Sequence, residues 1–185
     1  MNLMSYAGHG YPLPTWTANS VGDIDFKVIK EAGVLYCLLD LDGTFTPTLS
    51  MDVCQNAVRN IQTALWEGFI RAACIISNVG VWPLAHRVSA IATKYHLPHH
   101  ACYWPWPMKP SVKAFEHASA LITSDTDHHK FVIIGDQRSD MEATKYGYRT
   151  ILVPPLGTST WWNSWKRKME DDHRRRIGAR FPHEL

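Results

Sequence analysis

No apolar run in this chain approaches the ~20 residues that a membrane-crossing helix needs, so the sequence predicts no such helix. Cysteine is scarce, with four in 185 residues, and Cys37 and Cys74 fall inside apolar strand-like runs. Nothing resembles a disulfide framework, and a reducing interior is expected. The amino terminus, MNLMSYAGHGYPLPTW, lacks a basic start and a continuous apolar stretch, which argues against a secretory signal. Net charge is low, at a formal +2, and the basic excess sits at the carboxyl end. From Thr160 to Leu185 seven Lys or Arg face four Asp or Glu, with no recognised nucleic-acid motif beside them. A cytoplasmic or organelle interior is expected, with a peripheral membrane position as a further reading.

What the chain does have is apolar content, 45% of residues, enough for one domain to bury a sizeable core. Val34 to Leu39 is a continuous apolar run without alternation, the pattern of a strand buried on both faces of a parallel sheet. Asp52 to Glu67 places Val53, Ala57, Ile61 and Leu65 at four-residue steps, predicting a helix ended by Gly68. Phe69 to Ile76 predicts a second strand, and Pro83 to Tyr95 a helix with Leu84, Val88, Ile91 and Tyr95 inward. His99 to Tyr103 is a weaker strand. Ser111 is placed to cap a helix carrying Val112, Phe115, Ala118 and Ile122. Phe131 to Ile134 predicts a strand, Ser139 to Tyr146 a short helix stopped by Gly147, and Arg149 to Val153 the last strand. Five strands alternating with four helices predict an α/β, Rossmann-like three-layer sandwich with a parallel sheet and right-handed crossovers.

Such folds bind ligands at the carboxyl ends of their strands, and the polar residues collect there. The first strand delivers Asp40, Asp42 and Thr44, with Gly43 allowing a sharp bend. The second leads into Ser77 and Asn78, Lys109-Pro110 precedes the third helix, and the fourth strand leads into Asp136, with Asp140 four residues on. Three carboxylates converging on one edge repel by ~4 kcal/mol per pair at about 4 Å and an effective dielectric near 20, so a cation is expected among them. Mg2+ suits oxygen donors that leave room for a substrate phosphate. One carboxylate can then attack phosphorus, a second can carry the proton, and lysine and hydroxyl donors can hold the phosphoryl oxygens.

These residues, in this order, resemble the four motifs of the haloacid dehalogenase superfamily: DLDGT at 40–44, ISN at 76–78, KP at 109–110 and GDQRSD at 135–140. The resemblance implies Asp40 as nucleophile and metal ligand, and Asp42 as general acid/base with its backbone carbonyl on the metal. It places Gly43, Thr44, Ser77, Asn78 and Lys109 on the phosphate, Asp136 on the metal, and Asp140 in support of the metal shell or of Lys109. Asp42 favours a phosphohydrolase over a dehalogenase. Only 32 residues separate Thr44 from Ser77 and 31 separate Ser77 from Lys109, which leaves no room for a cap domain. The nearest resemblance is to the capless YqeG-type group, related to mitochondrial phosphatidylglycerophosphate phosphatases. It runs from Ser20 to about Arg176 through SVGDIDFKVIKEAGV, KPSVKAF, GDQ and GYRTILVPP. That group usually has asparagine in place of Gly43 and one more residue between its last two aspartates.

The implied function is a Mg2+-dependent phosphomonoester hydrolase with an aspartyl-phosphate intermediate, acting on a phospholipid headgroup such as that of phosphatidylglycerophosphate. Hydrolysis of a soluble phosphoester or a nucleic-acid 3′-phosphate is the second reading, and a non-catalytic binding protein on the same scaffold the third. Three segments are expected: 1–33 as an extension with a short helix, 34–158 as the catalytic core, and 159–185 as a basic, aromatic helix packed on the core or trailing it. In that last segment Trp161, Trp165 and Met169 share one helical face, which suits either a sheet edge or an anionic membrane surface. His96, His99, His100 and Cys102 are crowded enough to raise zinc, but one cysteine among histidines is a poor tetrahedral set, and a His-rich loop is the preferred reading. Trp104 and Trp106 fit either the rim of the site or packing beneath a proline-rigid loop. Self-association remains open.

Overall fold

The computed structural model describes residues 12–80, 82–103 and 107–157. Its centre is the strand Tyr36–Asp40 (β2), in which every residue is buried. Successive side chains of a strand leave on opposite faces. Tyr36 and Leu38 join Cys74, Ile76, Phe131 and Ile133 on one face, while Cys37 and Leu39 join Ala73, Ile75, Val132 and Ile134 on the other. A strand can be apolar on both sides only if helices cover both. Phe26–Glu31 (α1), Gln55–Trp66 (α2) and Trp82–Lys94 (α3) cover the second face with Ile29, Ala57, Ile61, Val88 and Ile91. The first face is covered by Val112–Ala120 (α4), through Ala114, Phe115 and Ala118, and by Ala143 beyond the short helix Arg138–Met141 (α5).

Among the described residues six strands form the sheet: Trp16–Thr17 (β1), β2, Ala72–Gly80 (β3), His99–Tyr103 (β4), Phe131–Gly135 (β5) and Arg149–Leu152 (β6). Their order is β1-β6-β5-β2-β3-β4, and every pairing is parallel. From β2 the chain winds outward through β3 and β4, then crosses back to place β5 on the other side of β2. This reversal opens a crevice between the carboxyl ends of β2 and β5, where ligands bind in sheets of this kind.

The layered α/β architecture agrees with the expectation from sequence, and several local features differ. β1 went unforeseen because two residues carry no periodic signal. It is fixed by a bond from the Ala18 N–H to the Leu152 carbonyl at 3.1 Å and by reciprocal bonds between Thr15 and Thr150 at 3.1 and 3.0 Å. Val21, Ile24, Phe26 and Ile29 are buried in the common core, so residues 16–33 pack as part of it. β3 continues to Gly80 instead of ending at Ile76. β2 stops pairing with it at Ile76, while β4 pairs on as far as Gly80 through an irregularity after Asn78. Ser77 and Asn78 therefore project beyond the end of β2 while still held in the sheet. Val53 lies before α2, and Ala64, rather than Leu65, completes its buried stripe. Ser111 occupies the N-cap of α4, but its side chain makes no capping bond. The segment expected as one helix from 139 to 146 is α5 followed by a 3-10 turn, Glu142–Tyr146, closed by Gly147 at φ 90°.

All four cysteines are free, and burial raises the thiol pKa of Cys37, Cys74 and Cys102. Among the described residues no helix is long and apolar enough to cross a membrane. The expected helix over 159–185 and the aromatic residues Trp104 and Trp106 lie outside the described residues.

Candidate active site

β2 ends on Asp40, and the chain then turns tightly. The Leu41 carbonyl accepts the N–H groups of Phe45 and Thr46, both at 2.9 Å, and the Gly43 N–H donates to the Thr46 carbonyl at 2.7 Å. The turn needs φ +84° at Gly43, a region that L side chains rarely enter. It brings the Thr44 hydroxyl to 3.4 Å from Asp40 Oδ2 and 3.5 Å from Asp136 Oδ1. Gly43 was expected on the phosphate, but its amide is committed to the turn. Its missing side chain matters more, since a Cβ there would lie 2.5 Å from Asp136 Oδ2. Gly43→Ala is therefore expected to cost about 1–3 kcal/mol through backbone strain and to push Asp136 away from Asp40. A lower denaturation midpoint with weakened Mg2+ binding checks both effects.

Asp136 follows β5 directly, and Asp140 lies inside α5. Oxygen atoms of Asp40, Asp136 and Asp140 lie within 4.8 Å of one another, and all three residues are buried. Lys109 enters this group from the segment before α4. Its Nζ donates to Asp40 Oδ1 at 2.5 Å and to Asp140 Oδ1 at 2.6 Å, with the Ile76 carbonyl at 3.4 Å. Asp140 is itself oriented, because its Oδ2 accepts the Gln137 N–H at 3.2 Å in a capping box at the start of α5. Asp140 thus bonds the Lys109 ammonium and belongs with the other carboxylates to a triad that could bind a metal.

Asn78, expected on the phosphate, instead grips the Lys109 backbone. Its Nδ2 donates to the Lys109 carbonyl at 2.9 Å, and its Oδ1 accepts the Lys109 N–H at 2.8 Å. An amide with both ends engaged in this way fixes a residue far away in sequence against β3. Ser77 is buried beside it, one residue past the last pairing of β2 with β3.

The electrostatics follow from burial and charge. Burial pushes the Asp40 carboxyl up to about 8; Lys109 opposes the rise, while Asp140 and Asp136 add to it. Burial works against the Lys109 charge, but Asp140 and Asp40 together outweigh it and hold the ammonium above the ordinary lysine range. Among the described residues, Lys109 is bonded to two of the three carboxylates, Asp40 and Asp140. Every donor in the group is a carboxylate oxygen, without nitrogen or sulfur, which fits a hard cation such as Mg2+.

Asp42 is held apart from this group. Its Oδ1 accepts the Leu49 N–H at 2.6 Å, and its Oδ2 pairs with Arg87 Nη1 at 2.9 Å. Arg87 escaped the sequence reading because it stands next to Val88 on the flank of the apolar stripe of α3, where an arginine passes for a solvated helix residue. Its position three residues after Leu84, turned partly inward, was the available signal.

His96, His99, His100 and Cys102 form no metal-ligand group; among the described residues the acidic triad is the only one. Alternation along β4 sends His99 to the face opposite His100 and Cys102. Cys102 is sealed in the core, and the His100 ring meets His117 edge to face at 5.6 Å. Searches with this chain found no matching family model, curated protein or solved structure.

Proposed function

We propose that this protein is a divalent-metal-dependent phosphomonoester hydrolase in which Asp40 is phosphorylated in the course of the reaction. The observation that carries this reading is the geometry: oxygen atoms of three buried carboxylates lie within 4.8 Å of one another at the switch point of a parallel sheet, and two of them share the Lys109 ammonium. Oxygen donors gathered in this way fit a hard divalent cation.

Asp40, Asp136 and Asp140 are the residues that would hold Mg2+. When bound, the ion neutralises the triad and draws charge from the phosphoryl oxygens. Asp40, at the rigid end of β2, presents its carboxylate to phosphorus. Lys109 keeps that carboxylate aimed and offers positive charge to the phosphoryl group, while the Thr44 and Ser77 hydroxyls are at hand as donors. Asp42 hands a proton to the departing oxygen and later takes one from the attacking water.

The substrate reading is a large phosphomonoester, with a phospholipid headgroup placed first. Two observations support it: the short intervals between the motifs, which leave no room between them for a cap domain, and the exposed apolar side chains of Leu49, in the segment that holds Asp42, and of Met51 just after it. Release of phosphate from an aryl phosphate with Mg2+ present, and its loss on chelation, tests the activity. Turnover of phosphatidylglycerophosphate in mixed micelles tests the substrate, and turnover of soluble phosphoesters alone would replace it.

The raised Asp40 carboxyl has a consequence for metal binding. Below about 8 it carries a proton in the metal-free protein, and a cation must displace that proton. Mg2+ binding near neutral pH is expected to release protons, detectable as a dependence of calorimetric heat on buffer. Apparent affinity is expected to rise with pH below the Asp40 pKa and to level off above it.

A further inference from the structure

All three guanidinium nitrogens of Arg87 are engaged by Asp42 and the segment that follows it. Nη1 reaches Asp42 Oδ2 at 2.9 Å, Nε and Nη2 reach the Ser50 carbonyl at 2.9 and 2.6 Å, and Nη2 also reaches the Thr46 hydroxyl at 2.9 Å. Its side chain is only 9% exposed and that of Asp42 is 18% exposed. Surface ion pairs have neither this burial nor this number of bonds. A rigid planar fork with several edges engaged fixes the direction of its partner as well as its charge, which the single point of a lysine ammonium does not. The same guanidinium fastens the segment from Thr46 to Ser50, and the Leu49 N–H of that segment holds the other oxygen of Asp42.

We propose that Arg87 is the positioning residue of the proton-transfer carboxylate. It sets where Asp42 points and ties it to the 46–50 loop, and it acts through Asp42 rather than on the phosphoryl group. This rests on the phosphomonoesterase reading. In the first half-reaction the bond from Asp40 to phosphorus forms, the bond to the leaving oxygen breaks, and that oxygen takes the proton of the Asp42 carboxyl, which leaves Asp42 as the carboxylate paired with Arg87. In the second, water attacks phosphorus, the bond from phosphorus to Asp40 breaks, the Asp42 carboxylate takes a proton of the water, and inorganic phosphate is released. Asp42 ends protonated, as it entered the cycle.

The leaving group separates positioning from mere structure. An alkoxide departs poorly without a proton, whereas a nitrophenolate needs little help. In Arg87→Met the first turnover of an alkyl phosphate is expected to slow about 100-fold, the lower end of what a placed general acid contributes, and that of nitrophenyl phosphate less than about tenfold. The second half-reaction, which needs Asp42 for either substrate, slows for both. Nitrophenolate is therefore expected to appear as a burst followed by a slow steady state. Arg87→Lys, which keeps the charge but not the fork, is expected to fall between Arg87→Met and the unaltered protein. Adding Asp42→Asn to Arg87→Met is expected to cost little more than either change alone, since both act on one unit. Rapid-quench measurements with Mg2+ and both substrates read these rates. Equal first-turnover losses for the two substrates, or additive losses in the double variant, would overturn the positioning role while leaving the phosphatase intact. Absence of turnover by the unaltered protein would remove both.

Discussion

Asp40→Asn is expected to bring phosphate release down to the level of a protein-free control while leaving the fold about as stable as before. Asparagine keeps the shape of the side chain, and its carbonyl oxygen can still accept from Lys109, but a neutral amide does not attack phosphorus. The stability half of the result is what gives the variant its power. Asp40 is a buried carboxyl whose charge is opposed by burial and by two neighbouring aspartates. Because burial already keeps that carboxyl protonated near neutral pH in the metal-free protein, a neutral amide of the same shape is expected to leave the fold about as stable while phosphate release is lost. Phosphate release measured beside urea unfolding shows whether the two properties separate. Full activity in this variant would remove Asp40 as the nucleophile, and a large loss of stability would mean that the charge is structural.

Lys109→Met is expected to weaken the fold. The lysine is the shared partner of Asp40 and Asp140, with a side chain only 2% exposed. Its removal leaves buried carboxylates facing one another, and breaking a buried ion pair in this way costs about 3–5 kcal/mol. The urea midpoint should fall with little change in slope, as expected when native contacts are lost without a change in the unfolded chain. Mg2+ should recover part of the loss, because a cation bound only by the folded protein stabilises it in proportion to the logarithm of its concentration. Two substitutions on the same pair of side chains are thus expected to differ sharply in their effect on stability. Among the described residues the Lys109 ammonium is shared by two of the three carboxylates.

That arrangement was partly visible in the chain. The apolar run before Asp40 predicted a strand buried on both faces, and it is one, because continuous hydrophobicity is a strong signal where helices cover both sides of a sheet. Asp40, Lys109, Asp136 and Asp140 were legible as a group because Asp40 ends one strand, Asp136 follows another with Asp140 four residues on, and Lys109 precedes a helix, all at the same edge. The detail within the group was not. Asn78 reads as a phosphate donor from its place after the second strand, yet it clamps the Lys109 backbone, a pairing across 31 residues that no local pattern encodes. Arg87 was missed for the same reason, since its partners Asp42, Thr46 and Ser50 lie some 37 to 45 residues earlier. β1 shows a different limit. Two residues pair with β6 because the core places them there, and tertiary context outweighs a local preference too short to register.

Asp40 and Asp42 are two residues apart in sequence and belong to different units of stability. Asp40 lies on a strand paired on both sides, so moving it means opening the middle of the sheet, at a free energy close to that of unfolding the protein. The Asp42 carboxylate hangs on one amide and one guanidinium at the rim, and shifting it requires only those bonds to part. The Asp40 carboxylate is thus as immobile as the fold itself, while the orientation of the Asp42 carboxylate depends on two bonds that can part without disturbing the sheet.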